Sequence, residues 1–91
     1  MFLMISSYSV PIEEVDKVRP EHLAYLDELQ ARGLILAAGR QDPPVGAVII
    51  LTVDTVEEAR ALIADDPYVK AGFAEYKPIK WSDSRGLLKD Y

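Results

Sequence analysis

The sequence predicts a small α+β domain in which the elements follow the order β-α-β-β-α-β. Four short apolar segments, rich in β-branched residues, alternate with two stretches of helical periodicity. A proline-rich turn joins the two middle strands, and the 91 residues leave room for one domain only. Two βαβ units that point the same way give a ferredoxin-like, four-stranded antiparallel sheet with two helices on one face.

The first strand and the first helix are predicted from one apolar run and two prolines. Residues 2–9 begin with apolar residues at both alternating positions, which indicates a strand that is covered on both faces. Pro11 ends this strand, and residues 10–18 are predicted to be a connection with at most one helical turn. Arg19 and Pro20 then open the helix, because proline is tolerated in a first turn.

A hairpin is predicted in the middle of the chain. Residues 34–40 form its first strand, residues 41–44 (QDPP) the turn, and residues 45–53 the second strand, which is the most apolar of the set. Gly39 and Gly46 lie on its two strands, where a bulge or a close approach of another backbone segment is expected.

The second helix and the last strand complete the predicted fold. Thr55 and Glu58 match a capping box, in which each side chain satisfies a free backbone N–H of the other residue. Asp66 precedes Pro67, which disfavours helical geometry at Asp66, so the helix ends there, and residues 67–72 are predicted to be a turn with one short helical turn. Residues 73–81 form the last strand, and its proline and lysines favour an edge position.

A homodimer is predicted from the apolar character of the sheet. Two helices cover one face only, whereas the third strand is apolar on both faces. A second copy of the same sheet is the simplest cover for the other face. Residues 1–81 are therefore predicted to be one dimerising domain, and residues 82–91 a tail that is either frayed or docked on the partner subunit.

Composition restricts the classes of partner. The net charge is −5 and the ten Lys and Arg residues are scattered, which argues against nucleic acid and against an anionic membrane surface. No stretch approaches the roughly 20 apolar residues of a membrane helix, and the apolar N-terminal run is too short for a signal-peptide core. The expected location is the cytoplasm.

The residue types argue against a metal site. The chain has no cysteine and one histidine, so neither thiolate catalysis nor the usual transition-metal ligand set is available. Asp42 and Asp54 fit turn and pre-helix positions, which makes a carboxylate metal site a weak hypothesis. The expectation is that the protein uses no metal and no cofactor.

His22 and Asp66 are the candidate catalytic residues. His22 lies about 40° from the centre of the predicted Leu23, Leu26 and Leu29 stripe, at the margin of the buried face. It is either a core-edge histidine satisfied by one hydrogen bond or a general acid or base. Asp66 is either a turn-former or the carboxylate that orients His22.

Other residues are candidate substrate contacts. Arg19 and Arg40 are each able to hold an anionic group, or they are ordinary surface and strand-end charges. Gly39 lies beside Arg40 in the second strand. Ser7 and Tyr8, at the end of the first strand, supply hydroxyls either to a cleft or to local packing.

Several motifs in order resemble the YciI-like (YCII-related) family over residues 2–81. These motifs are Arg19-Pro-Glu-His22, Ala37-Ala-Gly39, Asp66-Pro-Tyr68, Ala71-Gly72 and Pro78-Ile-Lys-Trp81. The resemblance implies a dimeric α/β-barrel arrangement and a His–Asp pair in a cleft, which corresponds to His22 and Asp66. One branch of the family resembles dehydrochlorinases that act on chlorinated hydroxyhydroquinones.

Three functional hypotheses follow from the sequence. The first is a cofactor-independent enzyme in which His22, oriented by Asp66, moves a proton during elimination or isomerisation of a small molecule. The second is a module that binds a small acid in the dimer cleft without turnover. The third is a structural dimerisation module whose acidic surface provides solubility.

Overall fold

Four strands form one antiparallel sheet in the computed structural model, which describes residues 1–88. They are β1 (Phe2–Tyr8), β2 (Ile35–Arg40), β3 (Ala47–Leu51) and β4 (Ala74–Lys80). The order across the sheet is β2-β3-β1-β4, and every neighbouring pair is antiparallel. The predicted ferredoxin-like topology, the hairpin and the edge position of β4 are confirmed.

Three helices connect these strands. Helix α1 (Ile12–Ala31) links β1 to β2, while α2 (Val56–Ala64) and the short α3 (Pro67–Lys70) link β3 to β4. Thr55 caps α2, because its Oγ accepts a hydrogen bond from the backbone N–H of Glu58 at 3.2 Å. The Glu58 carboxylate in turn accepts from the Thr55 hydroxyl at 2.9 Å and not from the backbone N–H that a full capping box uses.

The predicted start of the first helix was wrong. Helix α1 begins at Ile12, so the segment predicted as a connection is helical and Pro20 lies inside the helix. Proline removes one intrahelical hydrogen bond, but the early turns are held by packing. Val15 is fully buried there and packs with Tyr68 and Ala74.

The buried face of α1 also differs from the predicted leucine stripe. Its buried residues are Val15, His22 and Leu29, which are spaced two turns apart, whereas Leu23 is 44% exposed. His22 therefore lies at the centre of the buried face and not at its margin. This change follows from the earlier helix start, because the face that contacts the sheet must include Val15.

The core lies between the sheet and the helices. Its main cluster is apolar, and its buried members are Phe2, Met4, Ile49, Leu51, Val53, Ala59 and Ile63. Gly46, just before β3, lies directly against the backbone of β1. A Cβ atom built on Gly46 would come within 1.8 Å of the Ser6 carbonyl oxygen. The expected close backbone approach is confirmed at this glycine.

The second face of the sheet carries no helix of the described chain. Register places Leu3 beside Ile50 and Ile79, and Ile5 beside Val48, all on this face. Strand β4 ends at Lys80. The last three residues of the predicted tail, 89–91, lie outside the described part of the chain. Within residues 1–88, every helix is too short or too polar to cross a membrane.

Candidate active site

His22 and Asp66 meet in the interior beside the sheet. The Nδ1 atom of His22 lies 2.7 Å from Oδ1 of Asp66, and the two residues are 5% and 0% exposed. A carboxylate can only accept a hydrogen bond, so the geometry assigns the proton to Nδ1. The lone pair of the neutral imidazole is then on Nε2, and His22 lines a cavity that is open to solvent.

The local sequence around Asp66 explains how its carboxylate is held. Asp66 precedes Pro67 and has extended backbone angles, φ −64° and ψ 126°, which end α2 and begin α3. Its Oδ1 accepts a second hydrogen bond from the backbone N–H of Tyr68 at 3.1 Å. Oδ1 therefore caps α3 and also binds His22. The two interpretations of Asp66 from the sequence, a turn-forming residue and a carboxylate that orients His22, both describe this side chain.

The ring of Tyr68 fixes the plane of the imidazole. It stacks on His22 with ring centroids 3.8 Å apart and planes inclined by 9°, and Tyr8 packs against Tyr68 edge-on at 5.9 Å. Burial raises the pKa of Tyr68, and the nearby positive charge of Arg40 offsets part of that effect. With one face stacked on Tyr68 and Nδ1 bonded to Asp66, the imidazole is held in one orientation beside the cavity that it lines.

A cavity of ≈ 180 Å³ adjoins His22 between α1 and the β2–β3 hairpin. An apolar protein cavity of roughly 150 Å³ binds benzene, so this volume suits a molecule with a single ring. The walls combine apolar and cationic groups. They are formed by Tyr8, Arg19, His22, Leu23, Leu26, Ala38, Gly39, Arg40, Ala47, Ile49 and Tyr68.

Arg40 provides a fixed positive charge on the cavity wall. Its guanidinium pairs with Asp16, donates from Nε to the Tyr8 hydroxyl at 3.3 Å, and lies 5.7 Å from the centre of the Tyr8 ring. Burial lowers the pKa of Arg40, but the hydrogen bonds to Asp16 and Tyr8 outweigh that effect and raise it above its usual value. Arg19 also lines the cavity, and within residues 1–88 it forms no ion pair.

The structure brings most predicted site residues together, but not Ser7. Gly39 joins His22, Arg19 and Arg40 in the cavity wall, and Asp66 lies behind His22. Ser7 is exposed and pairs with Glu75 on the opposite face of the sheet. The neighbouring Ser6 faces the helices instead, and its Oγ accepts a hydrogen bond from the backbone N–H of Ala47 at 2.8 Å.

Sequence reasoning missed two residues that shape the site. Tyr68 belongs to the Asp66-Pro-Tyr68 motif. Its place two residues after a helix-capping aspartate is the sequence signal that could have put Tyr68 in the site. Asp16, which holds Arg40, lay in the segment predicted to be a connection, so its helical face was not considered. Among residues 1–88, no group of three or more His, Cys, Asp or Glu side chains is arranged to hold a metal ion.

These features define a small ferredoxin-like α+β domain with a buried His–Asp pair beside a cavity. The family model of the YCII-related domain matches residues 1–82, and the chain belongs to this family, as the motifs predicted. Protein YciI of Escherichia coli is 35% identical over 79 residues, which covers 76% of this chain and 81% of that protein. An uncharacterised protein of Haemophilus influenzae is 32% identical over 96 residues, covering 88% and 97% of the two chains.

A solved structure shows the same fold. It is the 5-chloro-2-hydroxyhydroquinone dehydrochlorinase of Burkholderia phenoliruptrix in complex with 2,5-dihydroxybenzoquinone. The TM-score is 0.75, the sequence identity is 23%, and the match covers 92% of this chain and 96% of that one. At this identity the likeness supports the fold alone.

Proposed function

We propose that this protein is a cofactor-independent enzyme that transfers a proton on a small cyclic molecule, with His22 as the catalytic base and Asp66 as its orienting carboxylate. The observation that carries the proposal is the 2.7 Å contact between Nδ1 of His22 and Asp66, made beside an open cavity. A buried carboxylate fixes the imidazole tautomer and stabilises the imidazolium that forms when Nε2 accepts a proton.

The proposed step begins with proton removal. The lone pair of His22 Nε2 takes a proton from a carbon next to a carbonyl group, which a chlorinated hydroxyhydroquinone presents in its keto tautomer. In an elimination, the electron pair of the broken C–H bond forms a double bond as a neighbouring leaving group, such as chloride, departs with its own bonding pair. In an isomerisation, the His22 imidazolium returns the proton to a different carbon of the same molecule.

Arg40 and Arg19 suit the charge that develops during this step. Proton removal next to a carbonyl places negative charge on the carbonyl oxygen, and a fixed cation on the cavity wall stabilises it. Arg40 is held by Asp16 and Tyr8, so it does not have to reorganise when the charge appears. Because the solved structure with this fold is named as a dehydrochlorinase, we choose elimination as the first reaction to test.

The direct test is turnover of chlorinated hydroxyhydroquinones, including 5-chloro-2-hydroxyhydroquinone, and of cyclic enones by the purified protein. Released chloride is measured by ion chromatography and the organic product by mass spectrometry. His22→Ala is expected to lower kcat by ~10²–10⁴, which is the usual contribution of a positioned general base. Glu21→Ala is the matched control, because Glu21 is the exposed neighbour of His22 on α1 and does not line the cavity.

Two results would count against the enzyme. If His22→Ala turns over a substrate as fast as the wild type, the base has been assigned wrongly. If a compound of this panel binds saturably in calorimetry and is recovered unchanged, the cavity belongs to a non-catalytic ligand-binding module.

We further propose that the protein is a homodimer joined through the second face of its sheet. That face carries the side chains of Leu3, Ile5, Val48, Ile50 and Ile79, which no helix of the described chain covers. A contiguous apolar face of this kind is typical of a protein–protein interface. A second copy offers the same self-complementary face, as a two-fold interface requires.

Ile5→Glu is expected to convert the dimer into a monomer at micromolar concentration. The substitution places a charge on the apolar face, between Val48 and Lys77, where burial in an interface is costly. Sedimentation velocity or light scattering reports the mass. Val45→Glu serves as the control, because Val45 is exposed in the loop before β3 and not in the sheet. A wild-type mass of one chain, or an Ile5→Glu dimer as stable as the wild type, would refute the interface.

A further inference from the structure

A buried polar contact behind the His–Asp pair is incomplete. Oδ1 of Asp66 accepts two hydrogen bonds, from His22 and from the Tyr68 backbone, but Oδ2 has no partner among the described residues. The hydroxyl of Tyr76 is also buried without a partner in the described chain. An unpaired buried carboxylate oxygen and an unpaired buried donor each carry a desolvation cost.

The fold packs Tyr76 against the cluster of Val15, Tyr68 and Ala74, which includes the residue whose backbone N–H binds Asp66. Tyr76 lies on β4 opposite Ser6 of β1, on the face that supports the helices, and it packs against both hydrophobic clusters. Burial raises the pKa of Tyr76, and the neighbouring Asp66 carboxylate raises it further, while Ser6 acts in the opposite direction. The phenol therefore keeps its proton well above neutral pH and remains a hydrogen-bond donor.

We propose that Tyr76 is a positioning residue of the active site, whose hydroxyl donates a hydrogen bond to Oδ2 of Asp66 and prevents the carboxylate from rotating away from His22. This inference rests on the proposed function, because it gives the catalytic pair a support in the sheet. One hydrogen bond removes both unpaired groups at once. It also extends the ordered chain of polar side chains from His22 through Asp66 to Tyr76 on the edge strand.

The single histidine of the chain makes the inference measurable without a substrate. In ¹⁵N-labelled protein at a pH where the imidazole is neutral, the two ring nitrogen shifts report the fraction of molecules with the proton on Nδ1. Tyr76→Phe is expected to lower that fraction measurably from its wild-type value, because Oδ2 no longer has a fixed donor. In an assay with a substrate, kcat should fall roughly tenfold to a hundredfold with KM unchanged, which corresponds to the loss of one hydrogen bond to a charged group.

Tyr25→Phe is the matched control. It deletes another partly buried tyrosine hydroxyl, which donates to the Leu62 carbonyl at 2.6 Å between α1 and α2. It should lower stability without changing the His22 nitrogen shifts. A folded Tyr76→Phe protein with wild-type shifts would overturn the role of Tyr76. Should that variant fail to fold, a crystal structure of the wild type decides: a Tyr76 hydroxyl within about 3.2 Å of Oδ2 supports the bond, and a longer distance refutes it.

The two proposals fail independently. Absence of turnover, or full activity of His22→Ala, refutes the proposal that the protein is an enzyme. Neither result changes the nitrogen shifts of Tyr76→Phe, so the positioning role of Tyr76 is judged separately. Unchanged shifts in Tyr76→Phe refute the positioning role, even if His22 proves to be the catalytic base.

Discussion

Asp66→Ala is expected to lower the free energy of unfolding by about 3 kcal/mol and to abolish turnover. The substitution leaves the N–H of a 5%-exposed His22 without its acceptor, which costs roughly 1–3 kcal/mol. It also removes the cap of α3, whose loss costs about 1 kcal/mol. Urea unfolding followed by circular dichroism measures the first effect, and the chloride-release assay measures the second.

Asp66→Asn separates the structural role of Asp66 from its chemical one. The asparagine oxygen can still accept from His22 and from the Tyr68 N–H, so most of the stability should remain. The negative charge is lost, however, and the imidazolium that forms during proton transfer is no longer stabilised. We expect Asp66→Asn to lower kcat by ~10²–10⁴. Its unfolding free energy should fall by less than about half of the decrease expected for Asp66→Ala.

Asp65→Asn is the control for this pair of variants. Asp65 is the exposed C-cap of α2 and makes no hydrogen bond to His22. Its substitution should leave both stability and kcat close to wild type. Wild-type kcat in Asp66→Asn would show that the charge of Asp66 has no catalytic role, and unchanged unfolding of Asp66→Ala would contradict its structural role.

Gly46→Ala is expected to be the most damaging small substitution outside the site. A Cβ at this position would lie 1.8 Å from the Ser6 carbonyl oxygen and 2.7 Å from its carbonyl carbon. Both are backbone atoms of a central strand, so neither can move away without breaking the sheet. Overpacking of this kind costs about 3 kcal/mol, and the melting temperature should fall accordingly.

Gly39→Ala provides the comparison within the same hairpin. A Cβ at Gly39 has no neighbouring atom within 4 Å, and its φ is not in the left-handed region. Its unfolding free energy should stay within about 0.5–1 kcal/mol of wild type, with a gain expected from the stiffer unfolded chain. Equal melting temperatures for Gly46→Ala and wild type would mean that the contact between Gly46 and β1 is absent in solution.

Features with a strong local cause could be predicted from the sequence. The Thr55 cap, the Asp66–Pro67 break and the hairpin each depend on neighbouring residues, and the structure contains all three. The order of the strands followed from general rules of connection. The family motifs then linked His22 to Asp66, which lie 44 residues apart in the chain.

Features that depend on long-range packing could not be predicted in this way. The early turns of α1 exist because Val15 finds a buried site against Tyr68 and Ala74. The local sequence, with Pro11 and Pro20 at its two ends, predicted at most one helical turn there. Whether Ser6 or Ser7 faces the helices depends on which alternate residues of β1 point to that side of the sheet. A shift of one residue moves each side chain to the opposite face. The stacking of Tyr68 on His22 joins α3 to α1, and neither sequence segment contains a signal for the other.

The position of β2 at the rim of the sheet has an evolutionary consequence. Ala38, Gly39 and Arg40 of this strand form one wall of the cavity, and β2 is hydrogen-bonded to β3 alone. His22 and Asp66, by contrast, lie outside β2, on α1 and at the N-terminal cap of α3. Under the proposed function, mutations at Ala38 or Gly39 would therefore change which molecules fit while leaving His22, Asp66 and Arg40 in place, so relatives of this chain could diverge in substrate choice and keep the same proton transfer.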